Sequence, residues 1–112
     1  MNAAFFNNWT NQVRKGLLEL AILKDIRRRG MYGYEIEREF RKTQGLFMSN
    51  GAMYHILQRL KEQGLLTSVQ ARSPDGPKRK YYELTRKGRE TLVQMSAHWQ
   101  AIRRQIDSIG KP

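Results

Sequence analysis

No cysteine occurs anywhere in the chain, which excludes disulfides, thiolate metal sites and a thiol nucleophile. A reducing, cytoplasmic setting fits that absence. Histidine is nearly as scarce: there are only His55 and His98, and His98 has no Asp or Glu partner at ligand spacing, so no metal site is expected. Long apolar runs are missing too. The longest, GLLELAIL at 16–23, is interrupted by Glu19 and is far too short to cross a bilayer. No cation precedes Arg14, so the start lacks the layout of a secretory signal. Neither a G-x-S-x-G elbow nor a phosphate loop appears, and Glu35, Glu37 and Glu39 alternate with cations as a solvated helix surface does. An enzyme is not expected, nor a cofactor. Acidic residues are few, 10 against 21 Lys and Arg, for a net charge of +11 over 112 residues. That excess attracts nucleic acid.

The residues that are present read as one small domain. Residues 9–29 form a helix apolar on almost every side, through Leu17, Leu18, Leu20, Ala21, Ile22 and Leu23, which belongs at the centre of a core. It ends in Arg27-Arg28-Arg29, suited to a helix C-terminus. Phe5, Phe6, Trp9 and Val13 extend an apolar stripe into the tail ahead of it. A short amphipathic helix follows over about 33–43, with Gly45 as its stop. Ser49 then caps a third helix, in which Met53, Ile56, Leu57 and Leu60 make the buried stripe and Gly64 the end.

Beyond Gly64 the period falls from 3.6 to 2. Residues 66–72 and 79–84 are two strands, joined by SPDGP, where Pro74 fixes φ, Asp75 tolerates the corner and Gly76 accepts positive φ. Alternation puts Lys80, Tyr82 and Leu84 on one face, Tyr82 and Leu84 anchoring the hairpin, and turns Arg79 and Tyr81 outward. Thr85 caps a last helix running to about Ser108. The expected fold is mainly α with a two-stranded β wing: a winged helix-turn-helix over 1–84, with an N-terminal extension over 1–12, followed by a C-terminal dimerisation helix over 85–112.

That order places candidate contacts to double-stranded DNA. Phosphates would meet Arg72, Lys78, Arg79 and Lys80 on the wing, with Ser49 and the first amides of the third helix. Base edges would meet Asn50, Tyr54, His55 and Gln58, from the N-terminal half of a helix that fits the major groove. Each has a plainer alternative: Tyr54 can cover a helix junction, His55 can be simple surface, and the wing cations a solvated run.

In the last helix Leu92, Met95, Trp99, Ile102, Ile106 and Ile109 recur at 3 and 4, a heptad seam. A second chain is its simplest partner, with packing on the first helix as the alternative. Phe5, Phe6 and Trp9 would enlarge a homodimer contact. Two recognition helices would then read half-sites about 34–36 Å apart, an inverted repeat. Trp99 and Met95 mark a place where the seam either packs shut or leaves a gap for a planar aromatic effector.

Taken together, GLLELAIL, GYEI, SNGAMYHILQRLKEQGLL and RKYYELTRKGRETL, in that order across about residues 13–95, resemble the PadR family of transcriptional regulators. The single short C-terminal helix resembles its smaller subfamily, in which that helix dimerises. The resemblance implies a repressor that leaves operator DNA when it binds small molecules, often phenolic acids or drugs. It implies DNA contact at Tyr54, Arg79 and Lys80, and stacking of planar ligands on Trp99. Two departures stand out: Gly76-Pro77-Lys78 replaces the family's usual glycine-arginine-proline, and Arg27–Arg29 is more basic than the matching segment. The competing readings are a small-molecule sensor and a protein-binding winged-helix module, each with weak DNA binding.

Overall fold

The computed structural model describes every residue except Met1, Gln44, Gly45, Phe47 and Asp75. The stop expected at Gly45 and the corner expected at Asp75 therefore lie outside the described residues.

Helix α1 spans Ala3–Arg28, and the Asn2 side chain accepts the Phe5 N–H at 3.0 Å. The helix thus begins at Ala3 rather than residue 9. An Asn N-cap satisfies one of the donors that a helix start leaves orphaned, so the tail is drawn into the helix. Its C-terminal half buries Leu18, Leu20, Ile22, Leu23 and Ile26, as the all-round apolar pattern predicts. A two-residue strand, β1 (Met31–Tyr32), leads into α2 (Gly33–Arg41). Helix α3 is Asn50–Glu62, capped by Ser49, whose side chain accepts the Ala52 N–H at 3.2 Å. Gly64 follows at φ +78°, the left-handed value that ends a helix cheaply only at glycine.

Strands β2 (Leu66–Arg72) and β3 (Lys78–Leu84) form the expected antiparallel hairpin. The sheet has a third member, however. Strand β1 pairs with the other edge of β3, Met31 opposite Tyr82 and Tyr32 opposite Tyr81, giving the order β1-β3-β2. The expected two-stranded wing is present, and β1 adds a third strand at its edge that the sequence did not reveal, because two residues between helices carry no period of their own and become a strand only by pairing.

Helix α4 (Arg86–Ser108) starts where α3 ends. The Thr85 hydroxyl accepts the Gly88 N–H at 2.9 Å and donates to the Gly64 carbonyl at 2.6 Å, while the Thr85 N–H donates to the Leu65 carbonyl at 3.1 Å. Gly88 lets the two segments touch: a Cβ there would lie 2.1 Å from the Leu65 carbonyl oxygen. One core joins all of these elements, with Ile22, Leu23, Met31, Ile36, Met53, Leu57, Leu66 and Leu92 wholly enclosed. No helix among the described residues is long and apolar enough to cross a membrane.

Candidate nucleic-acid interface

Helix α3 is seated by its apolar stripe. Met53, Ile56, Leu57 and Leu60 are buried, so the rest of the helix is turned away from the core. On that side Asn50, Tyr54, His55 and Gln58 are exposed. Tyr54 covers a helix junction, the plainer of its two expected roles, and is still partly open. Its ring lies against Gly33 at the start of α2, where a Cβ would meet the hydroxyl oxygen at 2.7 Å, yet 46% of the residue remains open. Gln58 donates to Glu62 Oε1 at 3.1 Å, one turn along the same helix.

The hairpin tip is fastened by Ser73, which is buried. Its N–H and its hydroxyl both donate to the Pro77 carbonyl, at 3.3 and 3.0 Å, and its own carbonyl accepts the Gly76 N–H at 3.0 Å. Gly76 stands at φ +116°, the positive value expected of it. Below the tip, Arg72 sits directly opposite Lys78, and Gln70 opposite Lys80. Like charges facing each other across a ladder are unfavourable, and the hairpin keeps them in the open, where an anion can reach them. Period-2 alternation sends Lys78 and Lys80 to one face and Arg79 to the other. Tyr82 and Leu84 are buried as anchors.

Arg79 and Tyr81 are not simply outward. The Tyr81 ring meets Tyr32 edge-on at 4.9 Å, and Tyr32 stacks on Tyr34 at 5.7 Å. The Arg79 guanidinium lies 4.8 Å from the centre of the Tyr34 ring, and Arg38 lies 5.4 Å from the same ring. The Tyr32 hydroxyl donates to the Arg72 carbonyl at 2.9 Å, tying the wing to the start of α2. Gly30 permits this assembly, since a Cβ there would meet the Tyr81 ring at 2.6 Å. Tyr32, Tyr34 and Arg38 escaped the sequence reading. The available signal was Tyr-Gly-Tyr with an arginine one turn beyond, a spacing that acquires meaning only when the wing folds back over it.

Most other arginines near this corner are matched. Arg28 pairs with Asp25 at 3.0 Å and Glu39 at 3.7 Å, Arg29 with Glu35 at 3.0 Å, and Arg41 with Glu37. Two members of the Arg27–Arg29 run are therefore engaged with carboxylates. Glu35 also accepts the Tyr32 N–H at 2.9 Å, holding the first turn of α2. Burial pushes the Glu35 carboxyl up, but the Arg29 hydrogen bond, the Tyr32 amide and the charges of Arg29 and Arg38 outweigh it, leaving its pKa below the ordinary 4.5. Asp25 goes the other way: burial dominates and raises its pKa, against the opposing pull of Arg28.

At the other end of the molecule α1 packs against α4. Two hollows, each of about 250 Å³, flank Trp99: one is lined by Gly16, Leu17, Leu20, Met95, His98 and Ile102, the other by Leu17, Leu20, Ala21, Lys24 and Leu46. Leu92 was expected on the intermolecular seam, but it is 0% exposed within its own chain, and Met95 and Trp99 are partly buried against the same core. Beyond Trp99, Ile106 and Ile109 are exposed, as are Phe5, Phe6 and Trp9 on α1. Ile109 lies just past the helix, at its C-cap.

This arrangement has close counterparts. A PadR-like transcriptional regulator from Bacillus cereus superposes with a TM-score of 0.81 at 34% identity, over 90% of this chain and 98% of its own. A PadR family transcriptional regulator from Eggerthella lenta shares the fold, with a TM-score of 0.83 at 24% identity, over 95% of this chain and 92% of its own. An uncharacterized protein of Lysinibacillus sphaericus is 29% identical over 99 residues, 87% of this chain and 91% of that one. The model of the transcriptional regulator PadR-like family matches residues 22–94, from the middle of α1 through the wing into α4, and the chain belongs to that family.

Proposed function

We propose that this regulator is a repressor that binds an inverted-repeat operator as a homodimer and lets go when a planar aromatic molecule enters beside Trp99. The observation that carries the reading is one continuous surface. Tyr54 on α3 touches Gly33, Gly33 adjoins Tyr34, and Tyr34 carries Arg79 of the wing. The recognition face of α3 and Arg79 of the wing are thereby linked through the start of α2. Asn50, Tyr54, His55 and Gln58 read bases from the major groove. Ser49, Arg72, Lys78, Arg79 and Lys80 hold phosphates. Residues 1–84 are the reading unit and 85–112 the pairing helix, working in the cytoplasm.

Pairing rests on the exposed apolar surface of α1 and α4. Phe5, Phe6, Trp9, Ile106 and Ile109 are each more than half open to solvent. A second copy laid along Met95, Trp99, Ile102 and Ile106 would cover them and roof the hollows beside Trp99. A ligand there would release DNA only by favouring one spacing of the two recognition helices over another.

The test is selection of bound duplexes from a random pool by the purified protein. An enriched inverted repeat is expected; a pool left unenriched would overturn the reading. Ligand response is followed separately, by Trp99 emission in a Trp9→Phe protein titrated with planar aromatic compounds, beside a gel shift on the selected duplex. Quenching together with loss of the shifted band is expected.

A further inference from the structure

Arg38 was not among the expected contacts, yet its surroundings set it apart from its neighbours. Arg28, Arg29 and Arg41 each hold a carboxylate. Arg38 lies on α2, and no carboxylate lies within ion-pair distance of it among the described residues; its guanidinium lies against the Tyr34 ring instead. Glu35 feels its charge, but spends its hydrogen bonds on Arg29 and the Tyr32 amide. Arg79 reaches the same ring from the wing. Two guanidiniums are thus held within about 10 Å of each other by one aromatic platform.

Among the described residues, no carboxylate is paired with either of the two guanidiniums gathered on this ring. A cation–π contact at an exposed site is worth only about 0.5–1 kcal/mol, enough to orient a guanidinium but not to satisfy its five donors. An external anion does. Guanidinium forks match phosphate oxygens in geometry as well as charge. The platform also adjoins Tyr54 through Gly33, so an anion there would belong to the same ligand that α3 reads.

We propose that Tyr34, Arg38 and Arg79 form a phosphodiester-binding station on α2 and the wing, with Arg38 as a DNA contact additional to the recognition helix and hairpin tip. The proposal rests on the DNA-binding reading and deepens it. Tyr34 is a positioning residue, aligning both guanidiniums without touching a base, so the station adds affinity for any duplex and no sequence preference.

The test compares wild type, Arg38→Ala and Arg41→Ala for binding to a random-sequence duplex of about two helical turns across a salt series, with circular dichroism checking the fold of each variant. Arg41→Ala removes the same charge from the same helix but from a residue engaged with Glu37, so it reports general electrostatics. Arg38→Ala is expected to weaken binding about tenfold. It should also lower the slope of log affinity against log salt by about one unit, with Arg41→Ala near wild type in slope. Arg38→Lys is expected to recover the slope but only part of the affinity. If Arg38→Ala and Arg41→Ala are indistinguishable while wild type binds duplex, the station is wrong and the DNA reading stands. If wild type binds no duplex at any salt, the reading beneath the proposal falls first.

Discussion

Single side chains set the tolerances of this molecule. Gly88 is the tightest: with the Leu65 carbonyl oxygen 2.1 Å from any Cβ, and backbone unable to swing aside, Gly88→Ala must push the start of α4 off the end of α3. Overpacking of this kind costs about 2 kcal/mol. A Tm roughly 10 °C lower is expected in thermal unfolding at fixed protein concentration. Glu35 works through charge. Its folded-state pKa is depressed, so its contribution is present above its ordinary pKa of 4.5 and is lost as pH falls through the lower folded value. Glu35→Gln should therefore lower Tm at pH 7 by more than it does at an acidic pH well below 4.5. A variant with the same deficit at both pH values would show that Glu35 acts by shape rather than by charge. Some of this scale was legible in advance. Ser49 and Thr85 cap, and Gly64 and Gly76 take positive φ, because those jobs depend on the residue itself and its immediate neighbours. The role of Gly33 was hidden, since the Tyr54 ring that needs its missing side chain sits more than twenty positions away.

Elements were read well where they carry a period and poorly where they borrow one. The stripe of α3, the alternation of β2 and β3 and the seam of α4 all declare themselves. Strand β1 does not, since it exists only as a partner of β3. The sequence places the residues ahead of 9 in a tail, whereas the Asn2 cap starts the helix at Ala3. The least legible feature was the union of wing and α2. Tyr32 is its clasp, with an edge-on contact to Tyr81 and a hydroxyl bonded to the Arg72 carbonyl. Tyr32→Phe keeps the ring and drops the hydrogen bond, which should cost about 1 kcal/mol in urea unfolding. Tyr32→Ala should cost more, because the stacking on Tyr34 and Tyr81 goes as well.

For the whole chain, shape is the informative quantity. Its radius of gyration is 16.1 Å, with extents of 56 × 32 × 22 Å, whereas a compact domain of about 100 residues has about 13 Å. The excess comes from the outer parts of α1 and α4, which carry Phe5, Phe6, Trp9, Ile106 and Ile109 into solvent. No part of the described chain covers them. In a two-fold dimer every substitution acts twice. Ile106→Glu should forfeit about 2 kcal/mol per copy, weakening self-association about a thousandfold, a shift that sedimentation over a concentration series would resolve. The same variant should lose preference for a paired half-site over a single one while keeping its grip on generic duplex. The heptad spacing made a second chain the simplest partner to expect. It did not show that Leu92 is spent inside its own chain, because a seam and a core stripe look alike until something fills one of them.

The facing cations Arg72 and Lys78 make the outermost rung of the hairpin its weakest. In dilute buffer, with nothing negative nearby, that rung is under electrostatic tension and should fray, letting its amides exchange with solvent. Added ions relax the tension at the same time as they compete for DNA. One variable therefore pulls the wing in two directions: a brackish medium stiffens the finger and loosens its hold, while a dilute one leaves it restless but adhesive.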